Sequence, residues 1–275
     1  MLIPAQSKRL LNSSTPNYST PQMPRYLFEI AYNGTNYSGW QNQLNATGVQ
    51  EIVEGGLSKL LRTEIKIVGS GRTDAGVHCE QQFFHTDIDI EFDEKNFVLR
   101  INSLLPKDIS IYSFRMIKPD VNARYDAMER TYQYRITRVK NPFLQGLAWH
   151  YFKSADIKTM NEAAALLLGE QDFQSFSKVK TEVNHFWCDI KKASWEEKEY
   201  EMEFTITANR FLRGMVRAIV GTLLDVGSGK ISVTEFQSII KSKDRKKAGA
   251  NVPPYGLYLT KVKYPPSIFT IEENG

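Results

Sequence analysis

The chain has 275 residues, 35 of them lysine or arginine against 31 aspartate or glutamate, for a formal charge of +4 at 41% hydrophobic content. That length supplies a substantial core, no apolar run approaches the roughly 20 residues of a membrane span, and so mild a charge permits an anionic partner without demanding one. Two cysteines, Cys79 and Cys188, exclude a disulfide framework and fit a reducing, cytoplasmic compartment. The histidines His78, His85, His150 and His185 show no zinc-ligand spacing with them, so no metal is expected.

Met1–Pro24 is rich in Ser, Thr, Asn and Pro, lacks the apolar block of a signal peptide, and reads as a disordered extension. Folding starts near Arg25, where YLFEIAY reads as a strand ended by the turn signal Asn33-Gly34. Thr47 and Gln50 then have capping-box spacing, and Val49, Ile52, Val53, Leu57, Leu60 and Leu61 recur at helical spacing. Gly55 and Gly56 each weaken that helix by about 1 kcal/mol relative to alanine, which predicts close packing there. EIKIV is a second strand running into a glycine loop, and QQFFHTDI resumes extended structure. EKNFVLRINSLLP is a short helix stopped by Pro106, DISIYSF is a strand, and RTYQYRITRV alternates large and polar residues as a half-exposed strand does.

A second half begins near His150. DIKTMNEAAALLLG reads as a helix closed by Gly169, and WCDIKKASWEEKEYEMEFTITAN as a hairpin with Met202, Phe204 and Ile206 on one face. A long helix runs from about Phe211. The chain thus divides into an extension (1–24), a half carrying the glycine loop (25–149), a half carrying an arginine-bearing helix (150–265) and a tail (266–275). Strands and helices recur in similar order in both halves, which predicts an α+β protein with an antiparallel sheet and helices covering one side.

Phosphate-loop chemistry is excluded on spacing. VGSGKIS has Ile231 where Ser or Thr is required, and GSGRTDAG lacks the third glycine of a dinucleotide fingerprint. Three other features carry chemistry. In NRFLRGMVRAIVGTLLDVG, helical geometry places Arg210, Arg213 and Arg217 in one stripe flanked by Gly214, Ala218 and Gly221. The stripe is either a solvated face or a surface for phosphate or carboxylate, which the guanidinium fork suits. Tyr32, Tyr37 and Trp40 surround the first turn, and Tyr125, Tyr132 and Tyr134 interleave with Arg124, Arg130, Arg135 and Arg138. That mixture suits unpaired RNA bases and phosphates, or equally a tyrosine-rich strand. Finally Gly69, Gly71 and Gly76 surround Arg72-Thr73-Asp74. This is an ion-paired structural turn, or a carboxylate presented to a substrate; a carboxylate is already an anion at neutral pH and needs no partner base to attack carbon.

The segment GSGRTDAGVH closely resembles the catalytic segment of the TruA family of tRNA pseudouridine synthases, and YNGTNYSGWQ, VQE, ARYDAMERTYQYRI, LLGEQDFQSF, NRFLRGMVRAIVGTLLDVG and GLYLTKVKY follow in the family's order, from about Arg25 to Tyr264. AGANVPPYGLYL departs from the commoner Thr-Ala-Pro-Ala style of its segment. The resemblance implies a pseudouridine synthase fold of two similar α/β halves around a central antiparallel sheet. It implies a homodimer that isomerises uridines 38 to 40 in the anticodon arm of tRNA without cofactor or metal. Asp74 would be the nucleophile, Arg72 would enter the RNA and help evict the base, Tyr132 would pack on the flipped uracil, and Arg217 would hold Asp74. Gly71, Thr73 and Gly76 would bring backbone to the RNA, with Arg210 and Arg213 facing its anions. Attack on the base, attack on the sugar and removal of a C2′ proton stay open, as do a silent RNA-binding module and a synthase with another target position.

Overall fold

The computed structural model describes residues 23–90, 93–178 and 183–270; most of the expected N-terminal extension, residues 1–22, lies outside them. In the first part of the chain the order is β1 (Arg25–Tyr32), α1 (Val49–Leu61), β2 (Val68–Gly69), β3 (His78–Asp87), α2 (Glu94–Leu104), β4 (Ile109–Ile117) and β5 (Glu129–Thr137). Then follow β6 (Trp149–His150), α3 (Ile157–Ala165), β7 (Gly169–Asp172), β8 (Trp187–Glu197), β9 (Glu201–Ala208), α4 (Met215–Gly227), α5 (Val233–Ser242) and β10 (Leu257–Lys263).

The strands form one sheet in the order β4-β1-β3-β10-β5-β9-β8-β7, with β2 beside β3 and β6 beside β5. Its neighbours are antiparallel except β10 with β3 and β5 with β6. The fold is therefore α+β, as the alternating patterns predict. β10, late in the chain, lies between β3 and β5 and joins the strands of the two halves into a single ladder.

One row of directly paired residues crosses the sheet: Tyr32, Cys79, Leu259, Tyr132, Ile206 and Ala193. Paired residues share a face, so the row shows which side the core covers. At one end Tyr32, Cys79 and Leu259 pack with Val49, Val53 and Leu57 of α1 and Phe97 and Ile101 of α2. At the other, Ile206 packs with Met160 of α3, Ile219 and Leu223 of α4, and Phe236 of α5. All five described helices thus cover one face, and Tyr132 touches both clusters at the seam between the two helix groups. On the other face Leu27, Ile117, Val121, Ala123 and Ile268 make a small cluster, which the start of the C-terminal segment covers.

Several local expectations give way to tertiary context. α1 starts on Gly48 with no side-chain cap rather than on a Thr47–Gln50 box, because a Cβ at 48 would stand 2.6 Å from the Gln41 carbonyl oxygen. Of the helix glycines, Gly56 faces Leu105 and Ile101 of the α2 region at contact distance, while Gly55 faces open space. EIKIV pairs only at its last residue: the Ile67 amide donates to Glu54 Oε1 at 3.1 Å and the Lys66 carbonyl accepts from Thr86 Oγ1, so side chains replace the ladder. α3 ends in a turn at Leu166, and Gly169, at φ +87°, instead opens β7. The arginine-bearing helix starts four residues later than Phe211, because Gly214 sits before it at φ +72° and breaks the periodicity.

Candidate active site

The glycine loop is held by close backbone contacts to the segment after β1. A Cβ at Gly34 would lie 2.0 Å from the Val77 oxygen, one at Gly39 2.2 Å from the Thr73 oxygen, and one at Gly69 2.5 Å from Trp40 Nε1. Backbone bonds seal the same contact: Trp40 N–H donates to the Thr73 carbonyl and Gly76 N–H to the Tyr37 carbonyl. Asp74 begins a tight turn in which Val77 N–H donates to the Asp74 carbonyl and Gly76 takes φ +74°, a value that favours glycine at the third turn position. Gly76 also lies against Pro254. Thr73 is buried, its hydroxyl 2.9 Å from the Tyr32 hydroxyl, so the residue before Asp74 is pinned to the sheet row described above. Gly34 tolerates no side chain although its φ is ordinary. Gly34→Ala is therefore expected to lose about 3 kcal/mol, the upper end for overpacking, whereas Gly55→Ala in α1 gains about 0.5–1 kcal/mol; denaturant melts of both variants check this.

Asp74 is no cap: among the described residues its carboxylate oxygens accept no hydrogen bond. It faces two guanidiniums instead, Arg217 Nη1 at 3.7 Å from Oδ2 and Arg213 Nε at 4.0 Å from Oδ1. These are ion-pair distances longer than hydrogen bonds, so the oxygens keep their lone pairs for another partner. The two arginines differ in how firmly they are held. Arg217 is 19% exposed against 62% for Arg213, and its Nε donates to the Val252 carbonyl at 2.7 Å while Val252 N–H returns a bond to the Arg217 carbonyl. The segment that departs from the family style thus builds the wall behind Arg217, and Gly221 accommodates it: a Cβ there would stand 1.9 Å from the Ala250 oxygen.

The single helical stripe dissolves. Only Arg217 is on α4; Arg213 precedes Gly214 in the turn and still reaches Asp74, whereas Arg210 lies beside His185 at 3.1 Å and makes no ion pair with Asp74. Arg72 likewise forms no ion pair with Asp74 and donates from Nε to Gln41 Oε1 at 3.1 Å.

Tyr132 stands at the seam, edge-on to Phe211 with ring centroids 5.1 Å apart. Burial raises its phenol well above the usual range, and Cys79 and the Asp74 charge push the same way. Most of the other aromatics are core, not stacking surface: Tyr32, Tyr37, Trp40 and Tyr134 are buried, and Tyr134 donates to the Pro253 carbonyl. The interleaved arginines are used internally as well. Arg135 pairs with Glu80 and Arg138 with Glu197. Arg130 donates to the carbonyls of Ser70, Arg124, Ala127 and Asn209, clamping the glycine loop to the strand that carries Tyr132. Nothing local in RTYQYRITRV marks Arg130 for that task; its four acceptors come from distant parts of the chain.

Among the described residues no helix is long and apolar enough to cross a membrane, and no group of three or more His, Cys, Asp or Glu side chains is placed to hold a metal ion.

A family model described as tRNA pseudouridine synthase matches residues 163–265. tRNA pseudouridine synthase A of Porphyromonas gingivalis is 47% identical over 251 residues, covering 90% of this chain and 100% of its own. The enzyme of that name from Bacteroides thetaiotaomicron is 47% identical over 253 residues, 91% of this chain and 94% of its own. The one from Exiguobacterium sibiricum is 37% identical over 245 residues, 89% and 98% of the two chains. A solved Cbf5-Nop10-Gar1 complex aligns over 85% of this chain and 57% of its own at 10% identity and a TM-score of 0.31, too low a likeness to carry an argument.

Proposed function

Because this chain belongs to the tRNA pseudouridine synthase A family, we propose that its isomerase chemistry is centred on Asp74 and directed at uridines 38 to 40 in the anticodon arm of tRNA. The reaction breaks the N1–C1′ bond of uridine, turns the base, and joins C5 to C1′ with loss of the C5 proton. No atom is gained or lost overall. The base must first leave the stack, at a cost of a few kcal/mol that a loop or weakly paired stem reduces.

The observation that carries the reading is the state of the Asp74 carboxylate: satisfied by no N–H among the described residues and faced by Arg217 and Arg213 at 3.7 and 4.0 Å. A structural aspartate in a turn would cap a nearby amide. In this reading Asp74 is the nucleophile, Arg217 fixes its direction, and Tyr132, backed by Phe211, packs on the everted uracil. Arg72 leaves Gln41 to enter the space the base vacates. Thr73, Gly71 and Gly76 set the loop backbone against the RNA, with Arg213 and Arg210 along the same anionic path. The family resemblance and the two buried thiols Cys79 and Cys188 support a homodimer working in the reducing cytoplasm.

Pseudouridine mapping of tRNA from cells with and without this gene tests the assignment. We expect loss of modification at positions 38 to 40 alone. Loss confined to another position overturns the target, and an unchanged map overturns the catalytic reading.

A further inference from the structure

A second cavity, of about 200 Å³, lies on the far side of the glycine loop, lined by Trp40, Gln41, Gln50, Gly71, Arg72 and Arg124 among others. Its lining is rich in hydrogen-bond donors, and no carboxylate faces it. Trp40 is 2% exposed, and its Nε1–H has no acceptor among the described residues. The backbone N–H groups of Gly71 and Arg72 have none either. Arg72 uses only its Nε, on Gln41. Arg124 makes no ion pair among the described residues, although its backbone is fixed at both ends, the amide on Asn122 Oδ1 and the carbonyl on Arg130. The side-chain acceptors are already engaged: Gln41 Oε1 by Arg72, and Gln50 Oε1 by Gln41.

Gly71 adds an independent observation. Gly69 and Gly76 are explained by the protein itself, through Trp40 at 2.5 Å and through a positive φ. Gly71 has ordinary φ, and a Cβ there would meet nothing closer than Arg130 Nε at 3.9 Å. Neither its own conformation nor its neighbours require glycine. A bare backbone at such a place leaves room for an outside group to approach closely, and two guanidiniums, an indole N–H and unpaired amides select an anion with several acceptor oxygens.

We propose that this cavity seats one phosphodiester of the tRNA, from a linkage next to the target uridine. Arg124 and Arg72 face its charge, and Trp40 and the Gly71 amide face its oxygens. The proposal rests on the synthase reading above and adds a binding site outside the reacting centre. Gln41, itself ordered by Gln50 and the buried Glu54, presents Arg72 to this site before the base is everted.

Steady-state kinetics on an anticodon stem-loop RNA at several salt concentrations test it. Arg124→Gln should raise KM about tenfold with kcat within about twofold of wild type, and flatten the slope of log KM against log salt by about 0.7–0.9, the loss of one phosphate contact. Gly71→Ala should leave Tm unchanged and raise KM. RNAs carrying one uncharged methylphosphonate at each linkage flanking the target identify the source of the anion: one of them should raise the wild-type KM as Arg124→Gln does, with no additional effect in that variant. Wild-type KM and salt slope in Arg124→Gln, or no effect of any methylphosphonate, overturns the proposal. Failure of the wild-type protein to convert the unmodified RNA would instead sink the synthase reading, so the two failures are separable.

Discussion

Asp74→Asn is expected to lower turnover by roughly 10⁴-fold or more, the scale on which loss of a nucleophile is felt, while tRNA affinity stays within about threefold. The substitution is nearly isosteric and leaves the loop intact, because the turn is held by backbone bonds from Trp40, Gly76 and Val77 and by the Thr73–Tyr32 contact, none of which uses the Asp74 side chain. Arg217 also stays in place, since its Nε remains on the Val252 carbonyl. Removing one negative charge from a surface that meets RNA does not weaken the electrostatic part of binding. Tritium release from C5-labelled uridine reports the chemistry and filter binding reports affinity. Turnover near the wild-type rate in Asp74→Asn or Asp74→Ala would remove this carboxylate from the mechanism.

Arg217→Lys is the second large effect, a fall in kcat of about 10²-fold with the fold retained. Arg217 performs two tasks through different nitrogens: Nε anchors to Val252 and Nη1 faces Asp74. A lysine keeps the charge but has one point of attachment on a flexible stem, so it can serve the Val252 carbonyl or the carboxylate, not both in the same geometry. A displacement of about 1 Å at a reacting group is enough for a loss of that size. The structural cost is one part-buried hydrogen bond, about 1–2 kcal/mol. Arg213→Lys supplies the comparison. Its side chain is mostly exposed and lies 4.0 Å from Asp74, and a screened pair of that kind is worth at most about 1 kcal/mol. We expect less than a tenfold loss there. Equal losses in the two variants would show that charge alone, not the anchored fork, holds Asp74.

Much of the local order follows from residue pattern. The alternation in YLFEIAY and RTYQYRITRV matches β1 and β5, and the hairpin from Trp187 to Ala208 puts Met202, Phe204 and Ile206 on the buried face, because period-two patterning acts through neighbours within one strand. The GRTDAG segment advertises itself through its glycines and its juxtaposed Arg and Asp. Patterning misleads where a contact from elsewhere in the chain decides. The arginines 210, 213 and 217 share a helical period, yet one glycine in the left-handed region separates them, and Arg210 turns to His185. Tyr134 and Tyr132 share a strand face, yet one is sealed in the core and the other stands at the seam.

By itself, then, the amino-acid order determined the strands, the helices and the identity of the acidic loop, since these depend on short-range periodicity and on turn chemistry. Only the tertiary structure decided which cations meet Asp74, which arginines are consumed by carbonyls, and where unused donors gather. Those outcomes depend on β10 inserting between β3 and β5 and on the path of residues 248–256 behind α4. Such pairings join residues far apart in the chain, and their geometry is set by sheet register rather than by any local preference.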